Sequence, residues 1–378
     1  MTQKPLVIVV LGAGASFDCS PEWTERGWNG DWIATGGPGG QVDPASLRPP
    51  LVRNLLEDTR LNTRLFNAYS RARPLVMQLR AKMARMGSET PFALEQELAE
   101  YLDQAEGNDE AAAHLDGFRW YLYERIKASS DAVTKLDGGV GGLTNHAHML
   151  NALHAWTTRV RGHLLVISVN YDIIAEVALA DVCNFRVDDL EDFVSHQGVT
   201  LLKPHGSIDW SFAVNADRPG SVDALRRFQP LGSDAGVAVV QQDRTAPRAR
   251  DEIPAIALPV RNKQGFVWPA NQEAAFEKYH GYDNIRGVLS VGWNAAEEHF
   301  MTEFTRLFSW QPRAVAVVAG SESLASDVWE QRLSRAFPDG HGMTPTLGQA
   351  GFSEFCRGSE LENFIQVLGD AEQQHATS

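Results

Sequence analysis

The fold is most constrained by a set of short apolar runs that each stop abruptly at small or polar residues. The first run, Leu6 to Leu11, reads LVIVVL and leads directly into GAGAS at residues 12–16. A β-branched run without polar alternation is typical of a strand that is buried on both faces of a parallel sheet. Four further runs end at 170–172, at 205, at 292–293 and at 320–323.

These runs predict an α/β fold with a Rossmann-like, mostly parallel sheet. Ligands of open α/β sheets bind outside the carboxyl ends of the strands, so the run ends are expected to converge on one pocket. Between about residues 50 and 158 the pattern is helical, as in TPFALEQELAEYLDQ, where Thr90 is a candidate N-cap and Pro91 the first helical residue. We therefore predict one domain from 1–49 and 159–378, with a helical insertion at 50–158.

Charge and cysteine content exclude several classes of protein. The 378 residues carry a formal net charge of −14, which disfavours direct binding to nucleic acid or to an anionic membrane, because both require a cationic surface. Cys19, Cys183 and Cys356 stand far apart and form no zinc or redox pair, which favours reduced thiols. No window approaches the ~20 apolar residues of a spanning helix. We expect a soluble, cytoplasmic protein.

The residues that follow the runs suit either catalysis or structure. The glycines of GAGAS allow close approach of a pyrophosphate, but a tight strand-to-helix turn also explains them, and Phe17 stands where a dehydrogenase fingerprint has its third glycine. Asn170 and Asp172 supply an amide and a carboxylate, although Asp172 is equally suited to cap the following helix. His205 is either a general base or a buried structural histidine, and Gly206 beside it leaves room for the backbone approach of a ligand.

Four predicted strands lead, in chain order, into GAGAS, NYD, KPHGSIDW and VGW. In this arrangement the chain resembles the sirtuin-like superfamily, in particular the bacterial sirtuin-like NAD-hydrolysing effectors of anti-phage defence. The resemblance covers most of the chain outside the helical block. It implies that the sheet domain binds NAD, that Asn170 and Asp172 line the nicotinamide and ribose pocket, and that His205 acts near the ribose. The cofactor-binding residues that it implies are Gly12, Ala13, Gly14, Ala15, Ser16, Gly206, Ser207, Gly292, Trp293 and Ser321. A plain loop is an equal alternative for Ser321.

Two departures from the protein-deacylating sirtuins affect the expected reaction. Only Cys356 lies downstream of His205, whereas those enzymes carry four zinc cysteines there. Val169 replaces their glutamine, and FDCSPEW replaces the loop that helps to hold an acyl-lysine peptide. Water is then the expected acceptor, and we predict an NAD+ glycohydrolase in which His205 is the base, Asn170 orients water or ribose hydroxyls, and Asp172 supports the nicotinamide end. A non-catalytic nucleotide-binding or sensing module, an NAD-dependent deacylase and a dehydrogenase are the alternatives.

The expected partners follow from the same reasoning. NAD is the substrate, and no metal is expected, because His146, His148 and His154 have no carboxylate or cysteine at a supporting spacing and suit the surface of a helix. The predicted domains account for the whole chain, so regulation is expected from a partner or from self-assembly. The resemblance implies a homo-oligomer and a separately encoded ATPase or nucleic-acid-guided protein as partner.

Overall fold

The computed structural model describes residues 3–19, 48–86, 94–105, 107–136, 144–214, 237–241, 253–259, 267 and 269–373. The chain forms two compact units. The first comprises Met1–Gly27, Val133–Pro204 and Trp268–Ser378, and the second comprises Trp28–Ala132 and His205–Val267. Residues 205–267 therefore group with the helical block, and the predicted insertion at 50–158 stays a prediction. The candidate cap Thr90 and Pro91 lie outside the described residues.

The elements follow one another in a mixed α/β order. The strands are β1 (Leu6–Leu11), β2 (His163–Ser168), β3 (Val199–Leu202), β4 (Gly206–Val214), β5 (Val237–Gln241), β6 (Ile253–Ile256), β7 (Ile285–Val291), β8 (Ala314–Val318) and β9 (Thr346–Leu347). The helices are α1 (Ala13–Phe17), α2 (Val52–Leu55), α3 (Arg60–Ala68), α4 (Arg73–Met86), α5 (Leu94–Ala105), α6 (Asp109–Leu136), α7 (Asn145–Arg159), α8 (Ile174–Cys183), α9 (Asp192–Ser195), α10 (Ala270–Glu277), α11 (Glu298–Thr305), α12 (Glu322–Gln331), α13 (Phe352–Arg357) and α14 (Glu360–Gln373).

The first unit contains a six-stranded sheet in the order β3-β2-β1-β7-β8-β9, and every neighbouring pair is parallel. Numbered by their own order in the chain, these strands run 3-2-1-4-5-6, which is the order of doubly wound nucleotide-binding folds. The prediction of an α/β, Rossmann-like fold is confirmed. The order reverses between β1 and β7, and this is the point at which such sheets open a crevice.

Burial explains why β1 has no polar residue. It lies between β2 and β7, and all of its residues are fully buried. Leu11 pairs with both Ser168 and Val291, so the carboxyl ends of these three strands lie level. Helices α7 and α14 contact each other and the sheet, and Gly287 in β7 leaves space for Phe364 and Leu368 of α14. The apolar run thus forms a strand buried on both faces of the parallel sheet, as predicted.

The second unit combines helices with a small sheet. Over residues 48–86, 94–105 and 107–132 the described structure is helical, as predicted, and in α5 the buried face comprises Leu94, Leu98, Tyr101 and Ala105. A three-stranded antiparallel sheet follows in the order β5-β4-β6. No strand was predicted between His205 and the run that ends at 292–293. The alternation of Ser207, Asp209 and Ser211 with apolar residues was the available signal for β4.

Among the described helices, none has both the length and the apolar composition needed to cross a bilayer.

Candidate functional site

The turn after β1 packs against the turn after β7. Gly14 N donates to Gly292 O at 3.0 Å, and a Cβ on Gly12 would lie 2.5 Å from the same oxygen. Gly292 has a φ of +62°, and a Cβ there would lie 2.1 Å from Ala15 N. Contact between two backbone turns therefore requires these three glycines. Ala13 is exposed at this turn, and a role of the turn in binding NAD stays a prediction.

Asn170 follows β2, and its side chain has one defined orientation. Its Nδ2 donates to Gly12 O at 2.8 Å and to Ser16 Oγ at 2.9 Å. A flipped amide would place Oδ1 against the carbonyl oxygen of Gly12, and two acceptors cannot form a hydrogen bond. The nitrogen of the amide, and not its oxygen, therefore faces Gly12. Oδ1 accepts no hydrogen bond within the described part of the chain, although Asn170 is only 7% exposed. The residue therefore presents an acceptor, to which a hydroxyl or water can donate.

Ser16 connects Asn170 to Asp172. Its Oγ accepts from Asn170 and donates to Asp172 Oδ2 at 2.6 Å. The other carboxylate oxygen, Asp172 Oδ1, accepts from Ile174 N at 3.1 Å at the start of α8. Asp172 thus precedes the N-cap, Ile173, which makes no side-chain cap hydrogen bond, and its carboxylate binds both the first N–H of α8 and the hydroxyl of Ser16. Ser16 is 2% exposed, so its hydroxyl is part of the framework of the site.

Lys203, immediately after β3, was missed by the sequence analysis. It is fully buried, and its Nζ donates to the backbone oxygen of Asp172 and to Glu176 Oε1, the latter at 2.5 Å. Its backbone N donates to Gln272 Oε1 of α10 at 2.8 Å. A lysine that directly follows an apolar strand, together with a glutamate four residues after Asp172, was the available signal, since buried charges are paired.

Among the described residues that contact this turn, the buried formal charges sum to a negative value. Lys203 supplies one positive formal charge, and Asp172 and Glu176 supply two negative ones. His146 of α7 adds no compensating charge at neutral pH, because burial lowers its pKa to about 4 although Asp172 acts in the opposite direction. Its ring lies edge-on to Phe352 at a centroid distance of 5.2 Å, and its Nδ1 has no partner among the described residues. The expected surface position is thus wrong for His146 and correct for His148, which is exposed.

His205, Gly206 and Ser207 belong to the second unit. His205 is 3% exposed, and its backbone oxygen accepts from Ala257 N at 2.9 Å. Gly206 has a φ of +87°, and a Cβ there would lie 1.9 Å from Ala255 O. The neighbouring strand is therefore a sufficient reason for this glycine, and the ligand approach expected from sequence stays a prediction. Ser207 is fully buried, and the role of His205 as a base stays a prediction.

Two further candidates have structural contacts. Trp293 is 4% exposed and lies edge-on to Phe300 and Phe304 at centroid distances of 5.4 and 5.6 Å, so its side chain belongs to the core. Ser321 caps α12 by accepting from Leu324 N at 3.3 Å. Contact of either residue with a cofactor stays a prediction. Within the described ranges, no group of three histidine, cysteine or acidic residues is placed to hold a metal ion.

Neither a protein-family model nor a curated protein matches the chain. Among solved structures it is similar to a chain from work described as "Structural Basis for the Mechanism and Regulation of Sir2 Enzymes". The two are 13% identical, the likeness covers 97% of this chain and 94% of the other, and the TM-score is 0.35. At that TM-score, the fold class rests on the strand order of the sheet and not on this likeness.

Proposed function

We propose that the protein is an NAD+ glycohydrolase that cleaves NAD+ to nicotinamide and ADP-ribose. The observation that carries the proposal is the arrangement of Asn170, Ser16 and Asp172 at the carboxyl ends of β1 and β2. It combines an amide oxygen that accepts no hydrogen bond within the described residues with the buried carboxylate of Asp172, next to the point where the strand order reverses. Such a site suits a substrate with ribose hydroxyls and a cationic leaving group.

The charges of the reaction match this site. When the bond between C1′ of the ribose and the ring nitrogen breaks, its electron pair moves to nicotinamide, and positive charge develops on the ribose. A preorganised carboxylate stabilises that charge without attacking it, and we assign this role to Asp172. Oδ1 of Asn170 accepts a hydrogen bond from a ribose hydroxyl or from the incoming water. Water oxygen then bonds to C1′, and its proton passes to a base.

The sequence resemblance supports His205 as that base, because a histidine titrates near neutral pH. It also supports water as the acceptor, since the chain lacks the four zinc cysteines of the protein-deacylating sirtuins. On the same resemblance we propose a sirtuin-like effector of anti-phage defence that acts in the cytoplasm and depletes NAD+. Its regulation would come from a homo-oligomer or from a separately encoded ATPase or nucleic-acid-guided protein.

Incubation of the purified protein with NAD+ tests the proposal, with nicotinamide and ADP-ribose followed by chromatography. We expect release by the wild type and loss of release in His205→Ala and in Asn170→Ala. The exposed residues His148 and Asn363 provide the matched controls, and each alanine variant should retain full activity. Full activity in a folded His205→Ala or Asn170→Ala variant would contradict the assignment.

A non-catalytic nucleotide-binding module is the second candidate. It is favoured by the strand order of the six-stranded sheet, which is that of nucleotide-binding folds and by itself requires no catalytic group. Binding of NAD+ in calorimetry without nicotinamide release, even at high protein concentration, would support this module. Nicotinamide release that disappears in Asn170→Ala would exclude it.

A further inference from the structure

The reaction proposed above makes no use of the buried ion pair of Lys203 and Glu176. Lys203 is fully buried, Glu176 is 5% exposed, and their charged atoms lie 2.5 Å apart. Removal of two charges from water is so unfavourable that apolar residues of similar volume often stabilise a protein equally well or better. Stability alone is therefore a weak reason for this pair.

The contacts of Lys203 indicate a more specific role. Its Nζ binds two acceptors, the backbone oxygen of Asp172 and the carboxylate of Glu176, one turn further along in α8. Both acceptors belong to the segment that carries the candidate catalytic side chains. An ammonium group donates up to three hydrogen bonds, so one lysine can hold both acceptors together.

The backbone of Lys203 is itself fixed. Its N–H donates to Oε1 of Gln272, which is fully buried in α10. Leu202, immediately before it, pairs with Ile167 of β2. Lys203 is thus anchored through its backbone to α10 and to the sheet, and through its side chain to the turn between β2 and α8.

We propose that Lys203 is a positioning residue that clamps the turn carrying Asn170 and Asp172. The ammonium fixes the backbone oxygen of Asp172, while Ser16 and Ile174 donate to the two oxygens of its carboxylate. Lys203 itself contacts no reacting atom. The expected effect of Lys203 on the reaction rate rests on the proposed NAD+ hydrolysis. The expected effect of Lys203 on the rigidity of the turn does not depend on that proposal.

The test uses the double variant Lys203→Met, Glu176→Gln, which removes both charges and keeps the side chains close to their original length. The matched control is Lys278→Met, Glu277→Gln, a lysine and a glutamate exposed at the end of α10. Because displacement of a catalytic group by about 1 Å lowers a rate by up to about 100-fold, we expect kcat to fall about 10- to 100-fold, with KM and the melting temperature near those of the control.

A second readout is independent of catalysis. Ile174 N–H donates to Asp172 Oδ1, so release of the clamp should speed amide hydrogen exchange in the segment 170–174 of the double variant and not of the control. Unchanged exchange there, or unchanged kcat in an active enzyme, overturns the clamp. Absence of nicotinamide release by the wild type overturns the proposed function instead, and the exchange measurement still decides the clamp. If the double variant does not fold, Glu176→Gln alone is measured against Glu277→Gln, with the same two readouts.

Discussion

Two segments that the sequence marks as catalytic, Asn170–Asp172 and His205–Ser207, are held by different kinds of contact. Asn170 and Asp172 are oriented by side-chain hydrogen bonds to Gly12, Ser16 and Ile174. The segment of His205 pairs through its backbone with β6, has a glycine that lies against Ala255, and contains a hydrogen bond from Asp209 N to Ser207 Oγ at 3.4 Å. The first segment should therefore respond to changes of side-chain chemistry, whereas Gly206 makes the second segment sensitive also to changes of backbone shape.

The largest effect is expected from Gly206→Ala. Its φ of +87° is unfavourable for alanine, and the new Cβ would lie 1.9 Å from Ala255 O, so β4 and β6 must separate. We expect a loss of about 3 kcal/mol or more in the free energy of unfolding, measured by chemical denaturation. Gly107→Ala is the control, because its φ is +72° and no atom lies within 4 Å of the new Cβ. Equal losses in the two variants would show that contact with Ala255 is unimportant.

Asn170→Asp tests the first segment. The carboxylate has almost the same shape as the amide but cannot donate to Gly12 O or to Ser16 Oγ. We expect the rate of nicotinamide release to fall about 100-fold, with NAD+ binding followed separately by calorimetry. Asn363→Asp, an exposed change on α14, should leave the rate unchanged. Wild-type activity in Asn170→Asp would mean that the hydrogen bonds of this amide do not matter.

The pH dependence of stability concerns the buried histidine beside the first segment. Burial lowers the pKa of His146 from 6.5 to about 4, so between these values the unfolded chain binds a proton that the folded protein does not. The free energy of unfolding should thus fall as the pH falls, by about 2 kcal/mol between pH 7 and pH 5 for this residue.

Denaturation of His146→Leu and of the exposed control His148→Leu, each at pH 7 and pH 5, measures that contribution. His146→Leu should lose less stability on acidification than the wild type, whereas the control should match it. Part of the decrease should remain, because burial also lowers the pKa of His163 to about 4. Parallel decreases in wild type and His146→Leu would contradict the assignment.

The smallest effect is expected from Ser16→Ala. It removes the donor to Asp172 Oδ2 and one acceptor of Asn170 Nδ2, both of which are buried. We expect a loss of about 1–2 kcal/mol in stability, accompanied by slower nicotinamide release. Ser326→Ala is the control, since that serine donates to Glu330 Oε1 at an exposed position and should change stability by less than about 0.5 kcal/mol. A stability loss no greater than that of the control would show that the Ser16 bridge contributes little.

The sequence predicted five of the six strands of the parallel sheet and the polar residues that follow them, because both leave local signals. An apolar run such as LVIVVL indicates a buried strand by itself, and parallel strands bring their carboxyl ends to one edge. Asn170 and Asp172 were therefore found by position alone. The role of Lys203 and the burial of His146 were not predicted. The partners of these residues lie on other helices and strands, and a local sequence pattern does not reveal such contacts.

The sequence by itself determined the central strands of the parallel sheet, the helical character of the block that begins near residue 50, and that polar residues follow the strands. The tertiary structure alone decided what each of those residues contacts. Gly12 and Gly292 are required because two turns contact each other, and Gly206 is required because β6 lies beside it. Ser16 connects the side chains of Asn170 and Asp172 by hydrogen bonds. Hydrogen bonding and close packing depend on distances between segments far apart in the chain, and those distances exist only after the sheet has formed.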